Sequence, residues 1–301
     1  MITNYHQHSA FSDGKGTLED CANEALKAGL TALGFSDHAP LPFETDWTMP
    51  PARLDEYRAE VRRLRAALRD RLEIYLGLEM DYLPEAPTIA FQRDRVLSLG
   101  WDYVIGSIHY LGREAGGDLW SMDLDRETFE RGLRDIYHGD VRVYCDHYYA
   151  TVRDLARDGR FTIMGHLDYT KRFNDGDRYY SDEAPWYRQM IDQTLAVLAR
   201  AGMILEVNTG GWRSPRREAY PAPFILHRAH ELGMSVTVNS DAHRPEDVAL
   251  DLDRGLALVQ AAGYQQMARL LNGQWRQVTI QEASECGCQG MPGLAPGPAP
   301  F

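Results

Sequence analysis

The sequence predicts an α/β protein built as one barrel of seven parallel strands with helices between them. Three observations predict it. Seven short apolar runs alternate with helix-length amphipathic stretches. A length of 301 residues suits a single barrel of this kind. Nearly every apolar run is followed at once by histidine, aspartate or glutamate, and strand ends are where such barrels carry their chemistry.

The first run, Ile2 to Tyr5, leads into His6-Gln7-His8. Side chains two apart on extended backbone point to the same side, so both imidazoles can reach one ion. Asp13 follows on a glycine-bounded turn and adds a carboxylate. Thr17 to Gly29 reads as a helix, with Thr17 and Asp20 suited to its start. The second strand, Thr31 to Phe35, runs into Ser36-Asp37-His38, and a proline-rich loop follows through Trp47 to Pro51. Leu54 to Arg71 is an amphipathic helix with Tyr57, Val61, Leu64 and Leu68 on one face.

Leu72 to Leu78 is the third strand, ending at Glu79, and a helix spans about Thr88 to Leu99. The fourth strand, Tyr103 to Ser107, ends near His109. Trp120 to Met122 fall in a loop, and Arg126 to Asp158 make one or two helices. The fifth strand, Phe161 to Gly165, ends at His166, and Ala184 to Ala201 is helical. Met203 to Val207 is the sixth strand, running into Asn208 and a loop with Arg213. Pro221 to Leu232 is helical, and the seventh strand, Met234 to Val238, runs into Asn239-Ser240-Asp241-Ala242-His243. Val248 to Gly263 and Gln265 to Leu271 read as the last helices. Residues 1–283 are expected to form the barrel, and 284–301, rich in Gly, Pro and Ala, a disordered tail.

Composition excludes several classes of function. Lys and Arg number 32 against 44 Asp and Glu, a net charge of −12. That argues against nucleic acid or an anionic membrane as partner. No apolar run reaches the length of a membrane span, and the N-terminus does not read as a secretory leader, so a cytoplasmic location is expected. Cys21, Cys145, Cys286 and Cys288 fit neither a disulfide framework nor a four-thiolate metal site. Oligomeric state leaves no mark in the sequence.

His6, His8, Asp13, His38, Glu79, His109, His166, Asp241 and His243 therefore stand as candidate metal ligands. The other four histidines, at 138, 147, 227 and 230, lie in helical or loop stretches. Imidazole with carboxylate suits zinc, manganese or iron. Nine ligands are too many for one ion and suit two or three, with Glu79 as the natural bridge. Closely spaced divalent ions polarise a phosphoryl group and activate water. The chain shows no Gly-x-Ser-x-Gly elbow and no glycine-rich phosphate loop.

These motifs resemble those of the polymerase and histidinol phosphatase (PHP) superfamily. Tyr5-His6-Gln7-His8 with Ser12-Asp13-Gly14 looks like its first motif. Phe35 to His38, Gly77 to Glu79, Gly106 to His109, Gly165-His166 and Ser240 to His243 look like the others. Gly165 to Asp168 with Lys171-Arg172-Phe173, and Glu206 to Gly210 with Arg213, Glu218 and Tyr220-Pro221, resemble the histidinol-phosphate phosphatase branch. The resemblance implies a distorted seven-stranded, TIM-like (β/α)7 barrel, the PHP fold, with a trinuclear site. His6, His8, Glu79 and Asp241 would hold one ion, Glu79, His109 and His166 a second, and Asp13, His38 and His243 a third.

The implied activity is metal-dependent hydrolysis of a small phosphomonoester, L-histidinol phosphate first, as a step of histidine biosynthesis. A hydroxide bridging two metals would attack phosphorus. Arg172 and Arg213, with Lys171 as a rival, are candidate phosphate ligands, because guanidinium binds two oxygens at once. Asp241 or His243 would handle the leaving-group proton. Trp47, Tyr110, Trp120, Phe173 and Trp212 are candidates to pack on an imidazole. The alternatives are a PHP phosphoesterase acting on nucleotides or another small phosphate ester, an amidohydrolase on a related barrel, and a non-catalytic PHP module.

Overall fold

The computed structural model describes residues 2–280. In chain order its strands are β1 (Ile2–Asn4), β2 (Leu30–Phe35), β3 (Glu73–Asp81), β4 (Tyr103–Ser107), β5 (Tyr110–Arg113), β6 (Leu119–Ser121), β7 (Ile163–Met164), β8 (Ile204–Asn208), β9 (Val236–Asn239), β10 (Gln266–Leu271) and β11 (Gln274–Thr279). The α-helices are α1 (Leu18–Lys27), α2 (Leu54–Leu68), α3 (Ala86–Phe91), α4 (Arg126–Asp135), α5 (Val141–Asp158), α6 (Pro185–Ala201), α7 (Pro223–Glu231) and α8 (Leu252–Ala261).

The seven predicted core strands form one parallel sheet in the order β1-β2-β3-β4-β7-β8-β9. Parallel strands covered on both faces read as continuous apolar runs, which is why all seven are visible in the sequence. The sheet curls so that β1 comes back to β9. That seam is closed by side chains as much as by backbone. Tyr5 N donates to Asn239 Oδ1 (2.8 Å) and Ser240 N to Asn4 Oδ1 (3.0 Å). Beyond them Gln7 bridges Ala242, with His8 N donating to Ala242 O (2.9 Å). The barrel is therefore nearly closed and distorted at this seam.

The inside of the barrel is filled at its strand-start end by Tyr5, Tyr75, Tyr103, Ile105, Ile163 and Ile204. The Tyr103 hydroxyl donates to Tyr5 O (2.6 Å) and lies 3.1 Å from Phe35 O. Its ring occupies the space where a Cβ on Gly34 or Gly77 would sit, 2.3 Å from the nearest atom in each case. Glycine there is a packing requirement.

Several elements differ from expectation. Gln265 to Leu271 is a strand, β10, paired antiparallel with β11. The turn between them is Asn272-Gly273, both at positive φ, the hairpin geometry this dipeptide favours. Ala268, Leu270 and Trp275 of this hairpin pack on the barrel's inner cluster, so it plugs the strand-start mouth. The loop around Trp120 holds a second small hairpin, β5–β6. The helix expected from Thr88 begins at Ala86 and changes winding, with a π segment at Gln92–Val96 and a 3-10 turn at Leu97–Leu99. The predicted α1 start holds: Thr17 and Asp20 form a reciprocal capping box. The proposed tail at 284–301, with Cys286 and Cys288, lies outside the described residues. Among those described, no helix is long and apolar enough to cross a membrane.

Candidate metal centre

Each predicted ligand sits at or just beyond the C-terminal end of a core strand, except Asp13, which comes from the β1–α1 loop. That loop is held down by the buried carboxylate of Asp37. It accepts from Ser9 N (2.9 Å), Ser12 N (3.1 Å) and the Ser12 hydroxyl (2.7 Å). Lys15 N donates to His243 O (2.8 Å), tying the same loop to the exit of β9. Gly14 is required here, since a Cβ would lie 2.5 Å from Ser9 N. Asp13 is thus placed by a built turn.

Glu79 lies at the centre, 1% exposed at its side chain. Its Oε2 is 3.2 Å from His6 Nε2, 3.5 Å from His8 Nε2 and 3.0 Å from His38 Nδ1. Its Oε1 faces the other way, 3.0 Å from His166 Nε2 and 3.8 Å from His109 Nε2. The Ser107 hydroxyl donates to that Oε1 (2.6 Å). One carboxylate thus separates two sets of imidazoles. Asp241 Oδ1 lies 3.2 Å from His8 Nε2 and 3.5 Å from His6 Nε2. Asp13 Oδ2 is 3.2 Å from His243 Nε2.

The nine candidates do converge, and the donor atoms of all but His166 form overlapping groups. His8, Asp13, His38 and His243 make one, His6, His8 and Asp241 another, and His38, Glu79 and His109 a third. Two of these follow the ligand sets implied by the resemblance. In the third, His38 stands beside Glu79 and His109 where His166 was expected.

The donor chemistry fits cations. His6 Nε2, both ring nitrogens of His8 and His166 Nδ1 are buried with no hydrogen-bond partner. Buried polar atoms are seldom left so, and those of His6 and His8 face carboxylates, the arrangement of ligands around a cation. The electrostatics agree. Burial works to lower His109, but Asp81 and Glu79 outweigh it and hold it up to about 10. Burial likewise opposes His243, which Asp13 and Asp241 hold up to about 9. Burial, with His243 and His38, pushes His8 down to about 3. Burial raises Glu79 and Asp241, yet the surrounding imidazoles hold both well below the usual carboxylate range. Without metal, protons supply the positive charge these carboxylates require.

Sequence reading gave no role to the groups that orient these ligands. Glu206, fully buried on β8, takes His6 Nδ1 (2.7 Å) and Asn239 Nδ2 (2.9 Å) on Oε1. Its Oε2 takes His166 N (2.9 Å) and Asn208 Nδ2 (3.0 Å). Asp81 receives His109 N (2.7 Å) and faces His109 Nδ1 (3.1 Å). Asn208 Nδ2 also reaches Asp241 Oδ2 (3.0 Å). The signal was available: Asp81 lies two residues beyond Glu79, on the same face of β3.

A cavity of about 480 Å³ opens over the cluster, lined by Asp13, His38, Glu79, His109, Asp241 and His243 together with Arg172, Arg213 and Tyr220. Arg213 donates to Ser240 O (2.6 Å) and Arg172 Nε to Asp123 O (3.1 Å), so both guanidinium groups are anchored beside the ligands. Lys171 is a correction. Its ammonium is fully buried, 2.9 Å from Asp168 Oδ2 and 3.0 Å from Glu218 Oε2, and it donates to Ala219 O (2.8 Å). It does not line the cavity and holds the strand-end loops together instead. Of the aromatics, Trp47 lines the cavity, edge-on to His38 at 4.6 Å and donating to the Tyr110 hydroxyl (3.0 Å). Trp120 and Phe173 are core residues, and Trp212 lies under Arg254 in a separate groove.

A model of the PHP domain matches residues 4–210. The chain belongs to the PHP domain family. A probable histidinol-phosphatase of Deinococcus radiodurans is 39% identical over 77% of this chain and 82% of that protein. The histidinol-phosphatase of Bacillus subtilis is 28% identical over 81% and 94%. Among solved structures, the histidinol phosphate phosphatase of Lactococcus lactis, complexed with zinc, L-histidinol and phosphate, superposes with a TM-score of 0.67 at 23% identity. It covers 91% of this PHP chain and 98% of its own. At that identity the likeness speaks for the shared barrel.

Proposed function

We propose that this PHP protein hydrolyses phosphomonoesters with two or three divalent metal ions, and that its substrate is L-histidinol phosphate. The observation that carries the reading is Glu79, one carboxylate set between two groups of imidazoles at the floor of a cavity with two anchored arginines. The names of the relatives, spread over most of the chain, support the choice of ester.

By this reading His6, His8 and Asp241, with Glu79, would hold one ion, and Asp13, His38 and His243 another. Glu79, His109 and His166 would hold the remaining one. Zinc, manganese and iron all suit these donors. Bound divalent ions lower the pKa of water and polarise phosphoryl oxygens. Arg172 and Arg213 hold the phosphate oxygens and neutralise charge that develops on them. Glu206 and Asp81 fix the ring orientation of His6 and His109. Asp241 and His243 serve as ligands. A side chain committed to a cation would not at the same time be free to give a proton to the leaving oxygen.

Metal-loaded protein should release phosphate from L-histidinol phosphate with a kcat/KM at least tenfold above that for any nucleoside monophosphate in a panel. His109→Ala should bind less metal and lose nearly all turnover. Preference for a nucleotide would favour the phosphoesterase alternative, and full activity in the variant would remove the site.

A further inference from the structure

One buried group at the cavity floor has no partner in the protein. Tyr220 is 2% exposed and lines the cavity beside Arg172, Arg213 and Ser214. Its hydroxyl oxygen makes no hydrogen bond. Arg172 and Ser214 stand beside it and the Asp168 carboxylate acts on it through space, yet none of the three forms a hydrogen bond with the hydroxyl. Arginine only donates, and the Ser214 hydroxyl gives its own proton to Gly211 O (2.7 Å).

The side chain is not loose. Tyr220 N donates to Asn208 O (3.1 Å) and Asn208 N to Tyr220 O (2.6 Å), so the returning loop is stitched to the end of β8. The ring packs edge-on against Tyr169 (5.2 Å) and lies 5.4 Å from the Lys171 ammonium. A rigid ring thus presents a hydroxyl proton with nothing to receive it, next to a guanidinium. That pairing lacks an anionic oxygen.

We propose that Tyr220 is a phosphate-binding residue, donating its hydroxyl to a phosphoryl oxygen that Arg172 also holds. The inference rests on reading the cavity as a phosphomonoester site. Burial pushes the phenol above its ordinary range, so it keeps its proton and acts as a donor throughout the working pH range. A neutral donor beside a cation also tightens geometry, because it favours one position of the tetrahedral group over the many that a point charge accepts.

The test is Tyr220→Phe, which keeps the ring and removes only the orphaned hydroxyl. The metal-loaded variant should keep wild-type metal content and Tm, since no protein hydrogen bond is lost. Its Ki for inorganic phosphate, measured against p-nitrophenyl phosphate hydrolysis, should rise roughly tenfold, the size of one hydrogen bond to a charged group. An unchanged Ki overturns the proposal. So does a Ki that rises only together with a fall in Tm or metal content, for then the hydroxyl serves the fold. If wild-type protein itself binds no phosphate, the reading of the cavity fails first, and that outcome is separate.

Discussion

Glu206 touches no open cavity, yet the geometry of His6 depends on it. It accepts four hydrogen bonds and offers no proton of its own. By taking His6 Nδ1 it leaves Nε2, the nitrogen that faces Glu79 and Asp241, free to bind a cation. Glu206→Gln should therefore be worse than its small change in shape suggests. An amide puts its NH2 group toward two of the four donors, whichever way it is turned, and both lose their acceptor. We expect the variant to remain folded by circular dichroism but to bind metal about 10- to 100-fold more weakly, read by titration against a chelator of known affinity. Wild-type affinity would show that His6 holds its tautomer without help. The ligands were legible in the sequence and their supports less so. Every ligand but Asp13 stands next to an apolar run, whereas Glu206 lies inside one. Lys171 is hard to place from sequence for a related reason: a lysine beside an arginine in a strand-end loop looks available, yet it is buried and paired with Asp168 and Glu218.

At the scale of elements, the parallel strands were readable because burial on both faces gives unbroken apolar runs. The hairpins were harder. Gln266–Leu271 has a composition that a helix tolerates, and only the following Asn272-Gly273 marks the turn. The β5–β6 hairpin is short, and its consequence lies beyond it. It delivers Asp123 to the cavity rim, where Ser121 (2.9 Å) and Tyr169 (3.2 Å) donate to its two oxygens. Among the described residues neither Asp123 nor Asp46, across the same rim, forms an ion pair, and both line the cavity. An ammonium on the carbon adjacent to the phosphate-bearing one would complete the charge balance, positive at Asp123 and negative at Arg172 and Arg213. Phosphoethanolamine should then inhibit more tightly than ethyl phosphate, which differs by that ammonium alone. Asp123→Asn should shrink the ratio of the two Ki values by roughly tenfold. An equal ratio in wild type and variant would mean that the rim does not read cationic charge.

For the whole molecule, the strand exits bring so much like and unlike charge together that fold and cations are coupled. His109 and His243 are held up to about 10 and about 9, against an ordinary histidine value of about 6.5. Burial opposes both shifts, and the facing carboxylates win. In metal-free protein these rings bind protons more tightly folded than unfolded. Their contribution is fully present below about pH 6.5 and is lost as pH rises through 9 to 10. Metal loading changes the sign of the dependence on these groups, because a ligand imidazole must be neutral and its proton leaves when the ion binds. The Tm of chelator-treated protein should therefore fall between pH 7 and 10 relative to metal-loaded protein, and the gap between the two curves should widen with pH. Buried tyrosines also destabilise any folded state near pH 10, but they act on both samples and drop out of the difference. The same coupling makes metal uptake release protons, measurable as a dependence of binding heat on the ionisation heat of the buffer. A gap that stays constant from pH 7 to 10, with no proton release, would mean that the imidazoles are already neutral and that the facing carboxylates find their positive charge elsewhere.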